Sequence, residues 1–167
     1  LLFFDAPEKL YSALEAYTPV WKTYDAGSGQ VDPDLGDFGE IYGRARRAGQ
    51  NMEVHIELIW GLDTDGGTGY WAFTLPDDGG TPIPQTYEVD DTLYIQNGNL
   101  PLGSAIALDI TAGAYRLNVT TRLSDTGEII AFPDQVGQSI RATIPFTWDI
   151  SDTLTFDFSY PVPGWGV

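Results

Sequence analysis

No cysteine occurs in the 167 residues, so neither a disulfide framework nor a thiolate metal site is available. Small secreted domains usually lean on disulfides, and this fold must instead be held by packing or by oligomerisation. The absence suits a protein assembled in a reducing cytosol and later exposed outside the cell. Cations are scarce too: 8 Lys and Arg stand against 24 Asp and Glu, a formal charge of −16. A field of that sign repels phosphate backbones and anionic lipid, so no nucleic acid and no membrane insertion are expected. His55 is the single histidine; with no second histidine and no cysteine, a zinc site is excluded. Long apolar runs are also missing. Nothing approaches the roughly 20 residues that span a bilayer, and "LLFF" at residues 1–4 is too short for a signal-peptide core and has no basic flank. The chain begins with Leu1 rather than Met, as expected of a processed product or a piece of a longer polypeptide.

What is present is apolar and aromatic: 43% hydrophobic residues, with 5 Trp, 9 Tyr and 8 Phe. That is too hydrophobic for a disordered chain, and the length suffices for one core. Residues 1–17 read as an N-terminal helical segment. Asp5 can act as N-cap, Pro7 sits in the first turn, and Glu8 completes a capping box. Leu10, Leu14 and Tyr17 then share one face at helical spacing. This face either packs on its own domain or forms the end of an oligomeric stalk. Thr18 before Pro19 ends it.

From residue 18 to residue 167 the period is two. In 51–60 the even positions are Met52, Val54, Ile56, Leu58 and Trp60, and the odd ones include Glu53, His55 and Glu57, a half-buried strand. Trp71, Phe73 and Leu75 alternate with Tyr70 and Thr74. Tyr115, Leu117 and Val119 are expected inward, with Arg116, Asn118 and Arg122 outward. Ile140, Ala142, Ile144, Phe146 and Trp148 alternate in a strand that Pro145 demotes to an edge or a bulge. Leu154, Phe156, Phe158 and Tyr160 line the last strand. Shorter candidates are "WKTY" at 21, "TLYIQ" at 92, "SAIALDI" at 104 and "GEIIAF" at 127. The expectation is an all-β protein: a jelly-roll-like antiparallel β-sandwich head domain over 18–167, preceded by the short helix.

Arg44, Arg46 and Arg47 lie within "GRARRAG", residues 43–49. Were Arg47 to Gln50 the turn of a hairpin, Ala45 would face Met52, Arg44 would face Glu53 and Tyr42 would face His55. Arg44 is then half of a cross-strand ion pair, while Arg46 and Arg47 are candidates for contact with a neighbouring subunit. Asp63 and Asp65, in "LDTDGG", resemble the front of a calcium loop, but the closing acidic ligand of an EF-hand is missing. Calcium there is one reading and a solvated turn is the other. The sequon "NVT" at Asn118 falls within a predicted strand. Trp165, between glycines in "GWGV", is either a sugar-stacking platform or interface anchor, or a residue folded back onto the core or a neighbouring subunit.

Four ordered stretches carry a resemblance: "YTPVWKTY", "GEIYGRARRAGQNMEVHIELIWG", "GTGYWAFTLP" and "IPFTWDISDTLTFDFSY". Together they resemble the β-rich receptor-binding or minor tail domains of long-tailed bacteriophages, particularly those of actinobacterial hosts, over residues 17–160. Two positions depart from that pattern: Ala45 replaces a larger residue, and Ser151 precedes Asp152 where a glycine is usual. The resemblance implies a homotrimer in the virion tail, assembled in the host cytoplasm alongside other virion tail proteins. It also implies no enzymatic activity and no catalytic residues. The expected ligand is a host cell-surface glycan, with Tyr70, Trp71, Tyr87, Tyr94 and Trp165 as candidate sugar contacts. The competing expectations are a purely structural decoration or head-fibre protein and a glycan depolymerase.

Overall fold

The structure, a computed structural model, describes residues 14–24, 29–78, 81–82, 101–122, 125–133, 138–162 and 165. Among these residues eleven strands follow in chain order: β1 (Glu15–Tyr17), β2 (Trp21–Tyr24), β3 (Glu40–Ala48), β4 (Asn51–Ile59), β5 (Tyr70–Thr74), β6 (Asp77–Asp78), β7 (Thr81–Pro82), β8 (Pro101–Asp109), β9 (Gly113–Arg122), β10 (Asp125–Pro133) and β11 (Thr153–Pro161). Nine of them form one antiparallel sheet in the order β1-β3-β4-β11-β8-β9-β10-β5-β2, and β6 pairs only with β7.

This sheet is curled rather than flat. Its two edge strands, β1 and β2, are separated in sequence by residues 18–20 alone. Phe73 of β5 and Phe156 of β11 have three strands between them in the sheet order, yet their rings lie 4.9 Å apart. The sheet therefore wraps around its own core as a half-barrel. Among the described residues two facing sheets are not seen; one sheet curled on itself buries the alternating apolar face.

No helix occurs among the described residues, and none is therefore long and apolar enough to cross a membrane. Glu15–Tyr17, placed by spacing at the end of a helix, is instead an edge strand pairing with Gly43 to Ala45 of β3. Tertiary pairing overrides the weak helical signal of so short a segment. The proposed cap residues and Leu10 lie outside the described residues, as do "TLYIQ", Tyr87 and Tyr94.

Alternation places the core correctly on most strands. Met52, Val54, Ile56 and Leu58 of β4, and Leu154, Phe156, Phe158 and Tyr160 of β11, are buried. The inner face of β8 is small, with Gly103, Ala105 and Ala107 paired to Phe158, Phe156 and Leu154. A Cβ on Gly103 would come within 2.8 Å of the Phe158 Cβ, so the small row makes room for the large one. Trp21, Trp60, Trp71 and Trp148 cluster in the interior, with neighbouring centroids 4.8–6.0 Å apart.

One inward assignment and one strand assignment change. Tyr115 is 38% exposed, near the start of β9, with its ring 5.3 Å from that of Phe146 and tilted against it. The predicted strand 139–148 is an irregular segment with a cis Ile144-Pro145 bond. Its Ile140 wedges between strands: the Ile140 amide donates to Ala131, and its carbonyl accepts from Trp71, each at 2.9 Å. Ile140 and Trp148 are buried there, so the apolar period reflects a plug in the half-barrel and not a ladder.

Candidate functional site: a polar groove on the outer face

The hairpin β3–β4 turns at Gly49 and Gln50, with Ala48 opposite Asn51. Gly49 has φ +64, a backbone conformation that favours glycine. The turn is two residues tighter than the sequence suggested, and every partner moves by two. Arg46 now faces Glu53, Ala45 faces Val54 and Arg44 faces His55. A shift of two keeps each side chain on its face, so the inside-outside reading survives while the ion pair changes owner. It is Arg46 Nε, not Arg44, that meets Glu53 Oε2, at 2.6 Å.

The outer face carries a continuous cross-strand row. Arg44 on β3 is paired with His55 on β4, His55 with Asp157 on β11, and Asp157 with Ser104 on β8. Beside it runs a second row of Arg46, Glu53 and Ser159. With Leu14 and Leu102 at its sides, these residues line an open groove of about 800 Å³. His55 Nδ1 lies 2.7 Å from Asp157 Oδ1. The carboxylate accepts, so Nδ1 carries a proton and Nε2 remains as the ring's other polar atom. Both contacts are substantially exposed, their side chains 38–72% accessible, and add at most about 1 kcal/mol each. Their effect is to fix side-chain positions in the groove. Among the described residues Arg44 is exposed and makes no ion pair.

The residues singled out from sequence are dispersed. Trp71 is fully buried, and its Nε1 donates to the Gly66 carbonyl at 2.8 Å, so it is a core residue and not a sugar platform. Tyr70 is half-buried, its ring 5.7 Å from that of Tyr24. Trp165 packs partly against the core beneath Arg47, whose guanidinium carbon lies 4.8 Å from the ring centroid. Arg47 itself is 1% exposed. Its Nε donates to the Gly49 carbonyl at 2.9 Å and its Nη2 to the Trp165 carbonyl at 3.1 Å. A subunit contact through Arg47 is thereby corrected to a role inside the fold. Leu14 is 52% exposed at the groove's side, and Tyr17 is half-buried against Gly43. The two do not share a helical face.

Asp63 and Asp65 are occupied by backbone. Asp63 accepts from the amides of Asp37 and Phe38 at 2.8 and 3.2 Å, and Asp65 accepts from Gly67 at 2.9 Å. The Asp37 amide above all holds the Asp63 carboxyl below the usual carboxylate range. Among the described residues, no three His, Asp or Glu side chains converge as a metal-ligand set.

Sequence reasoning had Arg44, Arg46, Glu53 and His55 on the outer parity but did not assemble the groove. Asp157 is 102 residues from His55, and only the placement of β11 beside β4 brings them together. No family model, no curated protein and no solved structure matches the chain.

Proposed function

We propose that the chain is a non-enzymatic attachment domain of a virion tail, which binds a surface carbohydrate in the outer-face groove and acts as a homotrimer. The observation that carries this reading is the row Arg44–His55–Asp157–Ser104, flanked by Arg46, Glu53 and Ser159. Sugars present dense hydroxyl donors and acceptors, and planar charged side chains answer both. Glu53 and Asp157 hold Arg46 and His55 in place before any ligand arrives, which lowers the ordering cost of binding. Leu14 and Leu102 offer apolar contact to the C–H faces of a ring. Arg44 supplies a cation for an acidic sugar.

The resemblance to phage tail domains supports the same reading, since its four stretches run through β1–β2, β3–β4, β5 and β11. A shallow, half-exposed site binds weakly on its own, and several copies on one oligomer raise the avidity. Screening the intact protein against a glycan array and bacterial cell-wall polysaccharides tests the proposal. Binding is expected, with about tenfold or greater loss in Arg44→Ala and in His55→Ala. Absence of glycan binding, or binding that both variants leave untouched, overturns it.

A further inference from the structure

The end of the sheet away from the β3–β4 turn is built from four loops. They lie side by side in the order 36–39, 60–65, 149–152 and 110–112, following the strand order β3-β4-β11-β8. Each presents one large apolar residue to solvent: Phe38 is 64% exposed, Leu62 70%, Ile150 45% and Ile110 57%. Together they expose on the order of 400 Å² of apolar surface, the scale of the largest and often functional patch on a monomer.

These side chains are not on slack loops. The Phe38 amide donates to Asp63 at 3.2 Å, the Ile150 amide to Asp149 at 2.7 Å and the Ile110 amide to Asp152 at 3.1 Å. Three of the four apolar residues thus have their own backbone amide gripped by a carboxylate. Asp152 is buried, and its second oxygen accepts from Asp149 at 2.7 Å, so it staples two loops together. Trp60 and Asp152, and Ser151 and Trp60, join neighbouring loops by backbone bonds of 2.9 Å. Ser151 is held at φ +70, the one described non-glycine residue with positive φ. Strain of this kind persists where the surroundings over-determine a loop, and it clusters at functional sites.

We infer that this end is a preformed docking surface for a second protein whose contact face has an apolar centre ringed by lysine or arginine. Charge selects that partner. The four loops expose Asp37, Asp63, Asp65 and Asp149, with Asp109 half-buried at the end of β8 beside them, and they contain no Lys, Arg or His. A second copy would set these carboxylates against their own kind, and an anionic bilayer would be repelled in the same way. The surface is separate from the groove: the rows led by Tyr42 and Glu40 lie between the two.

Titration of the intact protein with a short amphipathic Leu/Lys helical peptide, and with its Leu/Glu counterpart, tests this. The Lys peptide is expected to bind and the Glu peptide not to. The pair Phe38→Ser with Leu62→Ser should weaken Lys-peptide binding by about tenfold or more, as loss of anchor residues does. A second pair, Ile110→Ser with Ile150→Ser, should do the same. Each variant is checked for an unchanged urea midpoint. Equal binding of both peptides, or affinity unchanged in both variants, overturns the inference. So does attachment to phosphatidylcholine or phosphatidylglycerol vesicles, or self-association, that the substitutions abolish.

Discussion

The two ends of the half-barrel invert the usual sorting of residues in opposite ways. At the hairpin end a cation, Arg47, is buried, while at the loop end Phe38 and Leu62 stand in solvent. Charged side chains are almost never fully buried without partners, and Arg47 has them: two carbonyls and the face of Trp165. That end is closed by Trp165 against Arg47 and by the Val162 amide on the Gln50 carbonyl. The loop end is stitched by carboxylate-to-amide bonds instead, which rigidify it without covering it. One end spends its polar groups on closure and the other on holding a surface open, and the contrast can be tested residue by residue.

The largest effect is expected from Arg47→Ala. It strips the Gly49 and Trp165 carbonyls of a charged donor and leaves a void, costing about 2–4 kcal/mol in urea unfolding. Arg47→Met, which refills the volume, should recover part of this. An unchanged midpoint in Arg47→Ala would show that the hairpin end is sealed by something else. A smaller effect is expected from acid. The Asp63 carboxyl is held low by the Asp37 amide, and Asp109 by the Thr111 hydroxyl. A depressed carboxylate contributes stability above its unfolded value of about 3.9, and that contribution is lost as pH falls through the folded value. The thermal midpoint should therefore drop below about pH 4, and Asp63→Asn should flatten that drop. A slope identical to wild type would remove Asp63 from the bracing. The smallest effect belongs to Phe38→Ser, which should change stability by no more than about 0.5 kcal/mol. A larger loss would mean that Phe38 supports its own fold.

Much of this architecture was readable from alternation, because a strand's faces follow from parity alone. Val54, Phe73, Leu117 and Phe156 were placed inside for that reason and are inside. Parity is silent about partners. It could not choose between Glu53 and His55 for Arg44, since a shift of two residues leaves both faces intact. Helical spacing and capping signals misread Glu15–Tyr17, which is a three-residue strand on the edge that β3 offers. The groove depends on β11 lying beside β4, a long-range pairing with no local signature. The apolar tip was hidden for a different cause: its residues lie in loops, where a lone Phe, Leu or Ile has no period to reveal it.

The crossing at residues 18–20 has a mechanical meaning. It runs between the two edges of the sheet, with Pro19 and the Tyr17 ring filling the space that Gly43 leaves on β3. Tension applied at Leu14 would meet the three residue pairs of β1 with β3 first. Beyond them it would pull on the seam that keeps the sheet curled. This short strand is thus a cover over the β3 edge, and its release would bare that edge while β2 stays paired with β5.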